Sequence, residues 1–220
     1  MDLTKTLDTS DFIEIICRVS LVMEENEEYL TDLDAAIGDA DHGINMNRGF
    51  KSVVEQLKKT DPDSDVGDVL MTTGTVLMEM VGGAAGPLYG MMFTGMASAA
   101  SDKKEVNNAD LAAIFIEGLK AVQDIGGGTM PGDKTMVDTL YPAVQEFNKS
   151  HDTTCAGLIN VLERALMAAD QGLKSTIPLI AKKGRASYLG ERAVGHQDPG
   201  ATSAYLIIKV IYDFARGKGE

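Results

Sequence analysis

The chain has 220 residues, 44% of them apolar and 24% charged, and carries a formal net charge of −13. That length suits one domain, spanning residues 1–220, with a sizeable core of its own. The acidity excludes a nucleic-acid or anionic-membrane partner, since either would demand clustered Lys and Arg, and it requires an anionic ligand to arrive with metal ions.

The opening "MDLTKTLDTSDF" has no basic stretch followed by an apolar one, so no signal peptide is expected, and no apolar run approaches the ~20 residues that span a bilayer. A cytoplasmic location follows as the expectation. Cys17 and Cys155 lie in helix-patterned stretches and are expected as small, unbridged core residues.

Apolar residues recur with a period near 3.6 almost throughout. Phe12, Ile15, Ile16, Val19, Val22 and Met23 form the first stripe, with Ser10 or Asp11 as its cap; Met46 to Leu57 carries the second. The third runs from Val66 to Met80, after the "DPDSD" break. The fourth covers roughly Leu88 to Ala100 and is rich in small residues and methionines. The fifth follows an Asn108 cap to Val122. Met136 to Phe147, Leu158 to Ala169 and Tyr205 to Phe214 complete the set. Period-2 segments and sequence repeats are missing, and "NKSHDTT" reads as an ordinary inter-helix loop with a solvated His151. The expected fold is therefore all-α, an eight-helix antiparallel bundle.

Four connections carry far more glycine and polar residues than helix turns require: "GDADHG" 38–43, "GGAAGPLYG" 82–90, "GGGTMPGDKT" 126–135 and the long stretch 182–203. They follow the first, third, fifth and seventh helices, so an up-and-down bundle gathers all four at one end.

In the first, Asp34, Asp39 and Asp41 stand at i, i+5 and i+7, with Gly38 permitting the turn. Converging carboxylates either flank a solvated helix end or hold magnesium, a hard cation that completes its shell with water and phosphate oxygens. An EF-hand is excluded, because counting from Asp39 places Phe50 where the bidentate Glu belongs. His42 is open to roles as metal ligand, phosphate donor, phosphoryl carrier or loop brace; zinc is disfavoured by the lack of a second His or Cys nearby. The second connection offers amides unobstructed by side chains, suited to phosphate or to close helix packing. The third resembles a P-loop but has Asp133 where the lysine belongs and no preceding strand. Met130 or Met136 would either pack on a flat ring or fill the core. The fourth concentrates Lys182, Lys183, Arg185 and Arg192; Arg185 has room to clamp a phosphate, Asp198 to receive a ligand group or cap the last helix, and His196 reads as structural.

Together, "IGDADHGINMNRGF", "GGAAGPLYG", "PGDKTM" and "KGRASYLGER" followed by "GHQDPGATS" closely resemble the nucleotide-binding L subunits of dihydroxyacetone kinases, over essentially the whole chain. The resemblance implies an eight-helix antiparallel α-barrel that binds ADP or ATP with two Mg2+ ions in the loops at one end. It implies Asp34, Asp39 and Asp41 as metal ligands, and His42, Gly43, Ile44 and Asn45, with the backbone of Ala84 and Ala85, on the phosphates. Gly127 and Met136 would lie at the adenosine, Arg185 on the terminal phosphate, and Asp198, Pro199 and Gly200 in a closing loop. One departure is Ala85, where many relatives carry serine, which loses a hydroxyl and keeps the amide.

A triose-binding domain does not fit within 220 residues. The resemblance is accordingly to the phosphotransferase-linked type, in which a phosphohistidine M subunit rephosphorylates retained ADP and the phosphoryl group passes to dihydroxyacetone on a K subunit. Two alternatives are an ATP-dependent polyol or ketose kinase subunit with exchangeable ATP, and a nucleotide-sensing regulatory protein. The fatty-acid kinase branch, whose loop reads more like "PDGDTG", is less similar.

Overall fold

A computed structural model describes residues 6–61, 63–150 and 157–219; Cys155, His151 and most of "NKSHDTT" lie outside the described residues. Among those described, nine α-helices occur: α1 (Thr9–Glu25), α2 (Glu27–Ile37), α3 (His42–Leu57), α4 (Val66–Met80), α5 (Ala85–Ala100), α6 (Asn108–Ile125), α7 (Met136–Ser150), α8 (Leu158–Ser175) and α9 (Pro199–Gly219). A 3-10 segment, Arg185–Ala193, follows α8, and two-residue strands β1 (Leu7–Asp8) and β2 (Glu105–Val106) pair antiparallel.

The all-α expectation holds, with a different helix count. The first expected helix is broken at Asn26 into α1 and α2, and the 3-10 segment is additional. Counting α1 and α2 as one interrupted leg leaves eight legs. α3 packs on α1, each helix from α4 to α9 on the one before it, and α9 returns to α1, closing a barrel. The stripes predicted from the sequence line its interior: Phe12, Ile15, Ile16, Val19 and Met23 from α1 meet Phe50, Leu70, Phe93, Phe115, Phe147 and Ile208. Phe115 stacks on Phe147 with ring centroids 4.6 Å apart. α4 and α5 approach closely: a Cβ at Gly74 would lie 2.6 Å from the Gly90 carbonyl oxygen, so only glycine fits.

The two ends of the barrel differ in how their helices begin. At the end where α1, α4 and α6 start, reciprocal capping boxes close the orphan amides: Asp8 with Asp11, Asp65 with Asp68, and Asn107 with Asp110. The caps of α1 and α6 are thus Asp8 and Asn107, not Ser10, Asp11 or Asn108; each of those stretches offers several cap-type residues, and only the reciprocal pair fixes the choice. At the opposite end, α3 and α5 start without any cap from their own N-cap side chains.

Candidate nucleotide site

That opposite end holds a cleft of about 510 Å³, lined from all four glycine-rich connections. A volume of this order suits a ligand of roughly 300–1,000 Å³ sites. The antiparallel order of the legs is what brings the four together.

On one wall, single oxygens of Asp34, Asp39 and Asp41 lie within 4.8 Å of one another. Asp34 is buried on α2, while Asp39 and Asp41 come from the turn that follows. Asp34 Oδ2 accepts the backbone N–H of Asp41 at 2.9 Å and of His42 at 3.2 Å, and so caps α3 from the preceding helix. Its Oδ1 remains for another partner. Between Asp39 and Asp41, Ala40 adopts a left-handed backbone (φ 61°), an uncommon conformation for a side chain with a Cβ. Three carboxylates this close repel unless cations compensate them, and among the described residues the side-chain cation on them is Arg185, whose Nη2 lies 2.8 Å from Asp39 Oδ2. The set is all hard oxygen and fits magnesium.

The facing wall is the start of α5. No side chain caps it, and Gly83 precedes it with φ +64° and nothing within 4 Å of where a Cβ would stand. The amides of Ala85 and Gly86 therefore remain as donors at the positive end of the helix dipole. Ile37, Leu88, Val122, Ile125, Met136 and Val137 supply an apolar side to the same cleft.

The third and fourth connections are bound together by lysines. Lys134, 1% exposed and left-handed (φ 62°), donates from Nζ to the carbonyls of Thr176 (2.7 Å) and His196 (2.5 Å). Burial lowers its pKa, against the opposing pull of Asp198 and Asp138. Lys182 reaches Asp133 Oδ1 at 3.2 Å, and Lys183 donates to the carbonyls of Gly126 and Gly127. Although burial opposes ionisation of Asp133, the Met130 N–H and Lys182 bring its pKa below the ordinary value. Two of the four basic residues in the fourth connection are thus engaged with the third one.

Asp198 is buried at the head of α9, where Oδ2 accepts the Ala201 N–H at 2.7 Å. Burial pushes its carboxyl up to about 7, opposed by that amide and raised further by Asp138. His42 is buried as well; desolvation lowers its pKa, with Asp34 and Asp41 pulling the other way.

Of the residues expected at the site, Asp34, Asp39, Asp41, His42, Ala84, Ala85, Met136, Arg185, Asp198, Pro199 and Gly200 line the cleft. Gly43, Ile44, Asn45 and Gly127 stand outside the lining. Gly43 faces the α2 backbone, Ile44 is 48% exposed, and Asn45 accepts Arg48 Nη2 at 2.7 Å. Met130 is 51% exposed whereas Met136 is buried, so the two methionines offered by the sequence separate. Lys134, Tyr89 and the apolar side chains of the cleft other than Met136 were not named as site residues from the sequence. Tyr89 and Val122 look like ordinary core residues in sequence, and only the "GDKT" turn around Lys134 gave a local signal.

The family model described as the DAK2 domain matches residues 36–213. The ADP-binding subunit DhaL of the PEP-dependent dihydroxyacetone kinase of Escherichia coli (strain K12) is 41% identical over 206 residues, covering 94% of this chain and 97% of the relative. The corresponding subunit of kinase 2 of Listeria innocua is 42% identical over 208 residues, with 94% and 95% covered. The crystal structure of the C. freundii dihydroxyacetone kinase in complex with AMP-PNP and Mg2+ superposes with a TM-score of 0.70 at 24% identity over 91% of this chain. The chain spans only about a third (33%) of that solved protein, and the likeness is one of fold.

Proposed function

The chain belongs to the DAK2 domain family, and on that footing we propose that it is the ADP-carrying L subunit of a phosphoenolpyruvate-dependent dihydroxyacetone kinase. Two magnesium ions would accompany the nucleotide. A phosphohistidine on an M subunit of the phosphotransferase system would rephosphorylate the bound ADP, and the phosphoryl group would pass to dihydroxyacetone on a K subunit, in the cytoplasm. In keeping with that location, no helix among the described residues is long and apolar enough to cross a membrane.

The observation that carries this reading is the opposition of an uncapped α5 N-terminus to three converging carboxylates across one cleft. Helix amides suit phosphate oxygens, and carboxylates suit the cations that would accompany them. Asp34, Asp39 and Asp41 would hold magnesium, which neutralises charge on the phosphates when bound. Arg185 adds a fixed positive charge at the mouth, where it would exchange Asp39 for the terminal phosphate. Ile37, Leu88, Val122 and Met136 keep water from the base. The reaction asks this chain for placement and charge, with no covalent intermediate of its own.

Asp39→Asn and Asp41→Asn test the assignment by calorimetry with ADP and Mg2+. Loss of magnesium-dependent ADP binding with the helical CD signal intact is expected, and unchanged affinity overturns the metal assignment. Co-purification of nucleotide with the wild-type chain is expected of a retained cofactor; free wash-out supports an exchanging ATP instead. Phosphoryl flow in a mixture with K and M subunits, phosphoenolpyruvate and dihydroxyacetone tests the complete reaction.

A further inference from the structure

We propose that Ser203 and Tyr89 are positioning residues: through a buried hydrogen-bond chain they fix His42 with Nδ1–H directed into the cleft, as a donor to a phosphate oxygen. The identity of the acceptor rests on the nucleotide reading above, whereas the chain of hydrogen bonds stands on its own geometry.

Three helices meet in this chain. His42 opens α3, and its Nε2 lies 2.8 Å from Ser203 Oγ on α9. Ser203 Oγ in turn lies 2.6 Å from the Tyr89 hydroxyl on α5. Ser203 is 0% and Tyr89 1% exposed, so water cannot substitute for a missing partner.

Each hydroxyl has a single proton to give. Tyr89 OH has two acceptors in reach, Ser203 Oγ at 2.6 Å and the Gly200 carbonyl at 3.1 Å. Its proton is assigned here to Ser203, the nearer of the two. Ser203 then has His42 Nε2 at 2.8 Å, the Pro199 carbonyl at 3.1 Å and the Gly200 carbonyl at 3.2 Å. We assign the serine proton to Nε2; in the alternative, Nε2–H donates to Ser203 Oγ and the serine donates to the Pro199 carbonyl. A ring nitrogen that accepts places the imidazole proton on the other nitrogen.

Among the described residues Nδ1 makes no hydrogen bond, and it is not one of the enclosed, unpaired polar atoms either. It therefore opens to the cleft, which His42 lines together with Asp34, Asp41 and the start of α5. In the opposite tautomer its lone pair would meet phosphate oxygens and repel them.

The chain contains three histidines, so the ring nitrogens of His42 are assignable by long-range 1H–15N NMR with His42→Gln as the blank. The wild type is expected in the Nδ1–H form, and Ser203→Ala is expected to shift the ring toward Nε2–H or a mixture. In parallel, Ser203→Ala and Tyr89→Phe should weaken ADP binding in Mg2+ by about five- to tenfold, while Mn2+ binding without nucleotide stays at the wild-type level. Ser203→Thr, which keeps the hydroxyl, should restore the tautomer. A wild-type ring protonated at Nε2 alone, or a Ser203→Ala chain with unchanged tautomer and ADP affinity, overturns the proposal. If the wild type fails to bind ADP, the phosphate role is overturned with the nucleotide reading, and the NMR comparison decides the hydrogen-bond chain by itself.

Discussion

Asp34 Oδ1 occupies the space that a side chain on Gly38 would need: a Cβ there would overlap that oxygen and stand 2.8 Å from its carboxyl carbon. Gly38 also ends α2 by donating its N–H to the Asp34 carbonyl at 2.5 Å. The glycine and the aspartate are therefore fitted to each other, one leaving the room that the other's free oxygen fills. Gly38→Ala is expected to turn Asp34 away from Asp39 and Asp41. Because Asp34 Oδ2 also caps α3, the variant should lose on the order of 1–2 kcal/mol of stability, measured by urea unfolding. It should lose Mn2+ binding by electron paramagnetic resonance far more severely. A variant that binds the metal as the wild type does would separate Gly38 from the carboxylate arrangement.

The ion pair of Arg185 with Asp39 spans the mouth of the cleft between side chains that are 64% and 35% exposed. Exposed pairs contribute only about 0–1 kcal/mol, so Arg185→Ala should leave the melting temperature almost unchanged. Its effect should instead fall on the ligand, with ATP weakened by roughly 10–100-fold through loss of a charged hydrogen bond and ADP weakened less. Arg185→Lys should restore little, since an ammonium has no planar fork. Equal losses for ATP and ADP would remove Arg185 from the terminal phosphate.

Much of this arrangement is legible in the sequence because helix periodicity and glycine clusters are local signals. The stripe from Phe12 to Met23 reappears as the buried face of α1, and the four glycine-rich connections reappear around one cleft. α2 is harder to read. Its buried face is only Leu30, Asp34 and Ile37, in and just after the acidic run "MEENEEYLTDLD", so nothing marks a separate element or the break at Asn26. The basic residues of the fourth connection also look uniformly available for phosphate. Only tertiary structure shows Lys182 and Lys183 engaged by Asp133 and by the Gly126 and Gly127 carbonyls, with Arg185 directed at the acids. Ser203 and Tyr89 fall on ordinary helical positions, and no spacing rule joins them to His42, more than a hundred residues from Ser203.

Lys134 is a further case of long-range dependence. Its ammonium joins the third connection to the end of α8 and to the segment before α9, by way of the Thr176 and His196 carbonyls. Lys134→Met fills similar space but leaves the His196 carbonyl without its donor and the Thr176 carbonyl with only the Leu179 N–H. The expected loss is on the order of 2–4 kcal/mol in denaturant unfolding. Amide hydrogen exchange should accelerate around residues 126–135 and 194–200 and remain slow in α1. Uniform acceleration throughout the barrel would show instead that Lys134 supports the whole fold and not the joint between the two connections.

Asp198 sets a pH dependence whose direction follows from its burial. Its carboxyl is pushed up to about 7 in the fold, whereas an unfolded chain releases that proton near the ordinary aspartate value of about 4. Between those two values the native state holds one proton more than the unfolded state, so stability falls as pH rises through this window and levels off above it. This is opposite in sign to a carboxylate held by a cation. The full difference is on the order of 4 kcal/mol. Asp198→Asn keeps an oxygen for the Ala201 N–H and cannot ionise. Without metal or nucleotide, its unfolding free energy should therefore change less between pH 5 and pH 8 than the wild type's, and at pH 8 it should match or exceed the wild type. If the variant retains the wild-type slope, the proton lost on unfolding belongs to another group, and Asp198 is ionised in the native cleft.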